Sequence, residues 1–349
     1  MSPARRPAPP TEALEVIERY REAVLGRLQA ALAPHQGPAF DQMRYHLGWQ
    51  DQAGQPIEGR GGKLIRPALC LLACEAVGSE AAPALPAAAA LELLHNFTLI
   101  HDDVEDASAE RHGRPTLWRV WGQAQAINAG DGMLALAHAT LLALERYPPS
   151  VVLRAAGMLD EATLRLCEGQ HRDLAAGDQP QVSREGYLAM IEGKTASLLA
   201  ASCAIGALLG GAEDATVRGL EEFGRRLGLA FQIRDDALGV WGSADETGKP
   251  AGDDLRAGKR SYPIVAALEG ASEDDRRVLE ALLERAAHDE EAVAAARALL
   301  ERLGAREESE RAAHQHAEAA MASLDGLPLH PGRRQELEQI ARFAAERSA

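Results

Sequence analysis

Apolar residues recur along this chain at steps of three and four and seldom alternate with polar ones, so the pattern predicts helices nearly throughout and few strands. Thr11 to Leu32 reads as one amphipathic helix, with Leu14, Ile17, Tyr20, Val24 and Leu28 as its buried stripe. Residues 46 to 62 form a polar, Gly-rich loop, after which Pro67 fits the first turn of a helix reaching Val77. Pro83 and Pro86 precede a helix from about Ala87 to Asp106. Beyond a loop carrying Arg111, Arg114 and Pro115, a helix starts near Thr116, and another runs from Asp131 through Leu144 to the stop at Pro148-Pro149. The spacing then gives helices over 151 to 175 and 183 to 210, split by a turn at Gly177 to Gln181, and a third over Ala215 to Val240. Residues 241 to 258 are a loop. A core helix follows Pro263, and then come Glu- and Arg-laden helices, one opened by the capping-box spacing of Ser272 and Asp275.

No low-complexity linker interrupts this series. The expectation is a tail over residues 1 to 10 and one all-helical domain over 11 to 349, a large bundle around a central cavity. The opening MSPARRPAPP has no apolar core and reads as a frayed tail rather than a signal peptide. Thr195 to Ala212 is uncharged and approaches the ~18 residues of a membrane span. It is rich in Ala, Gly and Ser, and a buried core helix explains it better, so the reading is a soluble protein. A net charge of -15 argues against general binding to nucleic acid or anionic membranes. Cys70, Cys74, Cys167 and Cys203 lack metal-site spacing and read as small buried hydrophobes in a reducing cytoplasm.

Charge changes the picture at the end of the helix that closes on Asp106. Asp102, Asp103 and Asp106 would share about a third of its circumference. Gathered carboxylates repel one another, and a hard cation such as Mg²⁺ relieves that repulsion. A solvated acidic face is the ordinary outcome for such a run. What tips the balance is a second pair, Asp235-Asp236, in Gln-Ile-Arg-Asp-Asp, which parallels Leu-Ile-His-Asp-Asp at 99 to 103. Two such helices facing one another would hold divalent cations around a polyanion, for which diphosphate is the natural candidate. Lys63, Arg66, Arg111, Arg114, Lys194, Lys249 and Lys259 recur beside these segments and supply fixed positive charge.

The ordered series resembles the trans-isoprenyl diphosphate synthases. It comprises Gly61-Gly62-Lys63-Leu64-Ile65-Arg66-Pro67, the DDxxD of Asp102 to Asp106, Arg111 with Gly113-Arg114-Pro115-Thr116, Gly169-Gln170, Lys194-Thr195, Phe231 to Asp236, Gly248-Lys249-Pro250 and Gly258-Lys259. The resemblance implies a helical homodimer that joins isopentenyl diphosphate to an allylic diphosphate, with three Mg²⁺ per site. Asp102, Asp106 and Asp235 would hold the metal, with Asp103 and Asp236 as supporting acids. Arg111, Lys194 and Lys259 would hold the departing diphosphate, with Thr195, Gln232 and Lys249 beside them. Lys63, Arg66, His95 and His112 would grip isopentenyl diphosphate. Phe97 and Thr98, just before the acids, would floor the cavity and set product length, more in the manner of C20 than C15 enzymes.

Two positions depart from the family pattern. His112 stands where a second Arg is usual, and a neutral imidazole cannot make a bidentate fork, so weaker binding of isopentenyl diphosphate is expected unless Arg114 compensates. Gly239 stands where many relatives have a third Asp. The alternatives are a farnesyl diphosphate synthase, a class I terpene cyclase, disfavoured by Gly239 and Ser243 in its second metal motif, and a non-catalytic subunit, which has no need of two acid clusters.

Overall fold

The protein is described by a computed structural model covering residues 10–57, 62–176, 183–243 and 251–347. The expected tail over 1–10 therefore lies outside the described residues, save Pro10, as do the turn at 177–181 and residues 244–250 of the later loop.

Almost every described element is a helix, as the periodicity predicted. The first half contains α1 (Pro10–Glu18), α2 (Arg21–Leu32), α3 (Pro38–His46), α4 (Ile65–Ala76), α5 (Leu85–Glu105), α6 (Leu117–Trp121), α7 (Gln123–Leu142) and α8 (Pro149–Ala176). The second half adds α9 (Arg184–Ile191), α10 (Ser197–Leu209), α11 (Asp214–Trp241), α12 (Asp253–Arg256) and α13 (Tyr262–Gly270). It closes with α14 (Glu273–Ala286), α15 (Glu290–Arg302), α16 (Ala305–Ala322) and α17 (Pro331–Glu346).

The sequence pattern missed three local features. The first helix is two, interrupted at Arg19-Tyr20, where Arg19 reaches Glu336 at 2.8 Å and the Tyr20 hydroxyl donates to Glu75 at 2.9 Å. The helix placed from Asp131 begins eight residues earlier, at Gln123. Gly130 lies inside it, where a Cβ would come within 2.3 Å of the His101 ring. The third is a hairpin, β1 (Glu110–Arg111) against β2 (Arg114–Pro115), where a plain loop was expected. His112 and Gly113 at its tip both have positive φ, 53° and 70°, the backbone that a two-residue type I′ turn demands.

The core explains the uncharged stretch. All thirteen residues of α10 are buried, and α10 packs between α4, α8 and α11. Among the described residues the one helix long and apolar enough to cross a membrane, Arg184–Leu209, is thus a central strut of the bundle. Its crossing with α4 is backbone-close, since a Cβ on Gly206 would sit 2.0 Å from the Cys70 carbonyl. Cys70, Cys74 and Cys203 are buried and unpaired near this crossing, as expected. Cys167 instead lies on the exposed side of α8. The run Ala87–Ala90 of α5 is fully buried, and its small side chains let α5 and α7 lie close.

Candidate active site

The ends of α5 and α11, the β-hairpin and the start of α4 enclose a cavity of about 790 Å³. Leu25, Leu28, Leu47, Leu117, Leu166 and Phe231 give it apolar walls, and charged side chains gather at its polar end. Asp102 and Asp235 both line it, one from each acidic helix.

Asp102 occupies the last turn of α5, and burial pushes its carboxyl up to about 6 against the pull of Lys194, with Asp106 adding to the rise. Asp106 is the exposed C-cap residue, one turn on. Asp103 is buried, and Arg111 holds it: Nε lies 2.9 and 3.1 Å from the two carboxylate oxygens and Nη2 is 2.8 Å from one of them. The hairpin carries Arg111 and His112 into the cavity wall. His112 is exposed at the hairpin tip, and desolvation together with Arg111 lowers its pKa in spite of Asp103. Arg114 also borders the cavity, but it donates to the carbonyls of Tyr45 and Gln50 at 2.9 Å and lies 4.1 Å over the Tyr45 ring. It is tied to the scaffold and does not stand in for an Arg at 112.

Lys194 sits on a π-helical turn, Glu192–Ala196, between α9 and α10, where the sequence pattern showed an unbroken helix. Such one-residue expansions are concentrated at functional sites. Its Nζ is 2.6 Å from Asp173. Burial works against its charge, but Asp102, Asp173 and Asp106 outweigh it and raise its pKa. The turn packs on α8 through glycines: a Cβ on Gly169 would fall 2.2 Å from the Lys194 nitrogen, and one on Gly193 2.6 Å from the Arg165 carbonyl. Next to Gly169, Gln170 donates to Glu105 at 2.6 Å. Thr195 donates to Gln232 at 2.9 Å, and Gln232 to Asp236 at 3.0 Å.

Asp235 pairs with Arg347 at 2.6 Å, an arginine that nothing in the sequence distinguished from the surface charges around it. Asp236, one residue on and so turned about 100° away, does not line the cavity. It is buried against α9 and α13, where it accepts from the Tyr187 hydroxyl and from the Tyr262 amide at 2.9 Å. Burial pushes it up to about 7 despite these donors. Asp236 thus fastens α11 to α9 and α13 and stays one hydrogen bond from the cavity wall through Gln232. Gly239 faces Asp254, whose carboxylate would lie 2.1 Å from a Cβ at 239, so α12 brings an acid to the place left by the missing one.

Lys63, Arg66 and His95 line the same cavity, joined by His46, Glu92 and Asn96, which the sequence pattern did not single out. Burial lowers the pKa of His95, reinforced by Arg66 and Arg111. His46 is pushed down to about 3, again by burial and then Arg111. The Nε atoms of Arg66 and His46 (Nε2) are buried with no hydrogen-bond partner, and leaving such groups unmade costs about 1–3 kcal/mol each. Thr98 lines the cavity and donates to the His95 carbonyl at 2.7 Å. Phe97 does not line it; its ring centroid is 4.8 Å from that of His101, toward α7. Lys259 is exposed and lies outside the lining, because the chain after α12 runs over the surface. Lys249 lies outside the described residues.

Among the described residues no three His, Cys, Asp or Glu side chains form a ready-made cage. The donor set nonetheless fits Mg²⁺, which takes oxygen ligands, keeps several waters and is commonly held by one or two carboxylates plus substrate phosphates. Asp102, Asp106 and Asp235 are such donors.

Residues 48–300 match the family model for polyprenyl synthetase. The chain is 40% identical over 331 residues to a (2E,6E)-farnesyl diphosphate synthase of Mycobacterium tuberculosis, covering 93% of this chain and 90% of that protein. It is 42% identical over 311 residues to a geranylgeranyl diphosphate synthase of the same organism, covering 87% and 88%. Its fold superimposes on the crystal structure of a polyprenyl synthetase from Streptomyces coelicolor with a TM-score of 0.89 at 39% identity, over 95% of this chain and 98% of that one. A geranylgeranyl pyrophosphate synthase from Corynebacterium glutamicum, solved with isoprenyl diphosphate and magnesium, has a TM-score of 0.84 at 28% identity, over 95% and 99%.

Proposed function

Because this chain belongs to the polyprenyl synthetase family and is a short-chain trans-prenyl transferase, we propose that it makes geranylgeranyl diphosphate by adding isopentenyl diphosphate to allylic diphosphates. The observation that carries the reading is the placement of Asp102 and Asp235 on one cavity with Lys63, Arg66, Arg111 and Lys194. Mg²⁺, three ions when the site is loaded, supplies the positive charge that lets an allylic diphosphate leave.

Asp102, Asp106 and Asp235 hold the metal, while Asp103 acts by fixing Arg111. Arg111 and Lys194 grip the allylic diphosphate, and Thr195 and Gln232 brace that wall. Lys63, Arg66, His95 and His112 bind isopentenyl diphosphate beside it. The leucine-rich wall keeps water from the carbocation until the alkene reaches it. The final proton can go to the released diphosphate, so no protein base is needed. Lys249 and Lys259 are further cations for the diphosphate, and Thr98 forms the floor of the cavity.

The protein works as a cytoplasmic homodimer. Support for the dimer comes from Ile127 and Leu142 on α7 and Leu153, Leu164 and Leu174 on α8, large apolar side chains that are all exposed on adjacent helices. Purified protein incubated with Mg²⁺, labelled isopentenyl diphosphate and C5, C10 or C15 allylic diphosphates tests the whole reading. A C20 product supports it, a C15 product makes the protein a farnesyl diphosphate synthase, and no elongation from any starter refutes it.

A further inference from the structure

The segment after α17 is fastened to a single turn of α11. The Nε of Arg234 donates to the Arg347 carbonyl at 2.8 Å, and Nη2 of Arg347 donates to the Asp235 carboxylate at 2.6 Å. That nitrogen also lies 3.4 Å from the Phe231 carbonyl, and the guanidinium stacks 3.8 Å over the Phe231 ring. The two partners are unequal: the Arg347 side chain is 4% exposed, whereas that of Asp235 is 56% exposed. The carboxylate therefore remains open to the cavity, while the largely buried guanidinium paired with it lines the same cavity.

A divalent ion bound to Asp235 would sit about 2.0–2.1 Å from a carboxylate oxygen. Two cations crowded on one small anion repel each other, so the guanidinium and the metal compete for Asp235. We propose that Arg347 is the exchangeable counter-cation of Asp235: it neutralises this carboxylate until a metal-bound diphosphate arrives, then yields it, and so sets the metal concentration at which the site fills. The arriving diphosphate gives the released guanidinium a new anionic partner. Lys63 lies where it feels both Asp235 and Arg347, so the exchange takes place at the polar end of the cavity. The inference rests on the reading of Asp235 as a metal ligand.

Arg347→Met keeps an apolar stem over Phe231 while removing the charge. Mn²⁺, which accepts the same oxygen ligands, can be titrated alone into the full-length protein, and free Mn²⁺ read by electron paramagnetic resonance. Removing a partly solvated ion-pair partner should tighten Mn²⁺ binding about fivefold, with Arg347→Lys close to the parent protein. Circular dichroism and the thermal midpoint show whether each variant is folded; a variant that fails this check is replaced by Arg347→Gln. Unchanged or weaker Mn²⁺ affinity in a folded, charge-removed variant overturns the inference alone. A parent protein that binds no Mn²⁺ under these conditions overturns it together with the metal reading of Asp235.

Discussion

Arg111 grips Asp103 with two nitrogens of one guanidinium, and the carboxylate it grips is almost fully buried. The pair ties the β-hairpin to the end of α5 and so fixes where His112 and Arg111 face the cavity. Arg111→Ala would leave that carboxylate without its counter-charge. Loss of one partner of a buried pair costs about 3–5 kcal/mol, and since Arg111 is part-exposed the low end applies. Arg111→Lys keeps the charge but not the fork, and should lose activity while keeping most of the stability. Urea unfolding and steady-state rates check both; an unchanged unfolding midpoint in Arg111→Ala would show the pair to be ornamental.

His112 supplies the pH dependence. Its pKa is lowered by desolvation and Arg111, so it is neutral at pH 7 and gains charge only as pH falls. The added cation should strengthen the hold on isopentenyl diphosphate, so the Michaelis constant for that substrate should fall as pH drops below about 6.5. His112→Arg carries the charge throughout and should give a lower, flatter profile, at a backbone cost of about 1–2 kcal/mol for a left-handed residue that His112 already bears. Superimposable profiles for the two proteins would remove His112 from the binding site.

Two glycines of α8 make a paired comparison. At Gly169 a Cβ would strike the backbone of Lys194, while at Gly157 nothing lies within 4 Å. Gly169→Ala should therefore displace the π-helical turn, costing about 1–3 kcal/mol and most of the activity. Gly157→Ala should be neutral or stabilising by about 1 kcal/mol, the helix-propensity gain. Equal activity in the two variants would show that the position of Lys194 does not depend on this contact.

Product length separates Thr98 from Phe97. Thr98→Phe adds bulk to a cavity-lining position and should shorten the products. Phe97→Ala empties a packed site facing α7 and should cost about 3–5 kcal/mol of stability before it alters product length. Radiochromatography of the products and thermal denaturation decide the matter. Longer products from Phe97→Ala at an unchanged midpoint would make the Phe97 ring part of the floor after all.

The helical architecture was legible because it rests on periodicity, which α5, α8 and α11 display over many turns. The acids and most cations were legible because their chemistry is unusual for an apolar context. Arg347 was not, since an arginine in a Glu- and Arg-laden helix looks like any solvated charge until the fold buries it. Asp235 and Asp236 look alike in sequence, whereas a single residue turns a helical side chain about 100°, so Asp235 lines the cavity while Asp236 packs between helices. The π-helical turn at Lys194 escaped for a related reason: backbone-close contacts at Gly169 and Gly193 override the local pattern.

The two acidic helices come from opposite halves of the chain, so neither half holds a partial site that works alone. During refolding, far-UV ellipticity should return as α5 and α11 form, ahead of any turnover. Recovery of catalysis then times the last docking of the two halves, which makes the enzyme a reporter of its own long-range assembly.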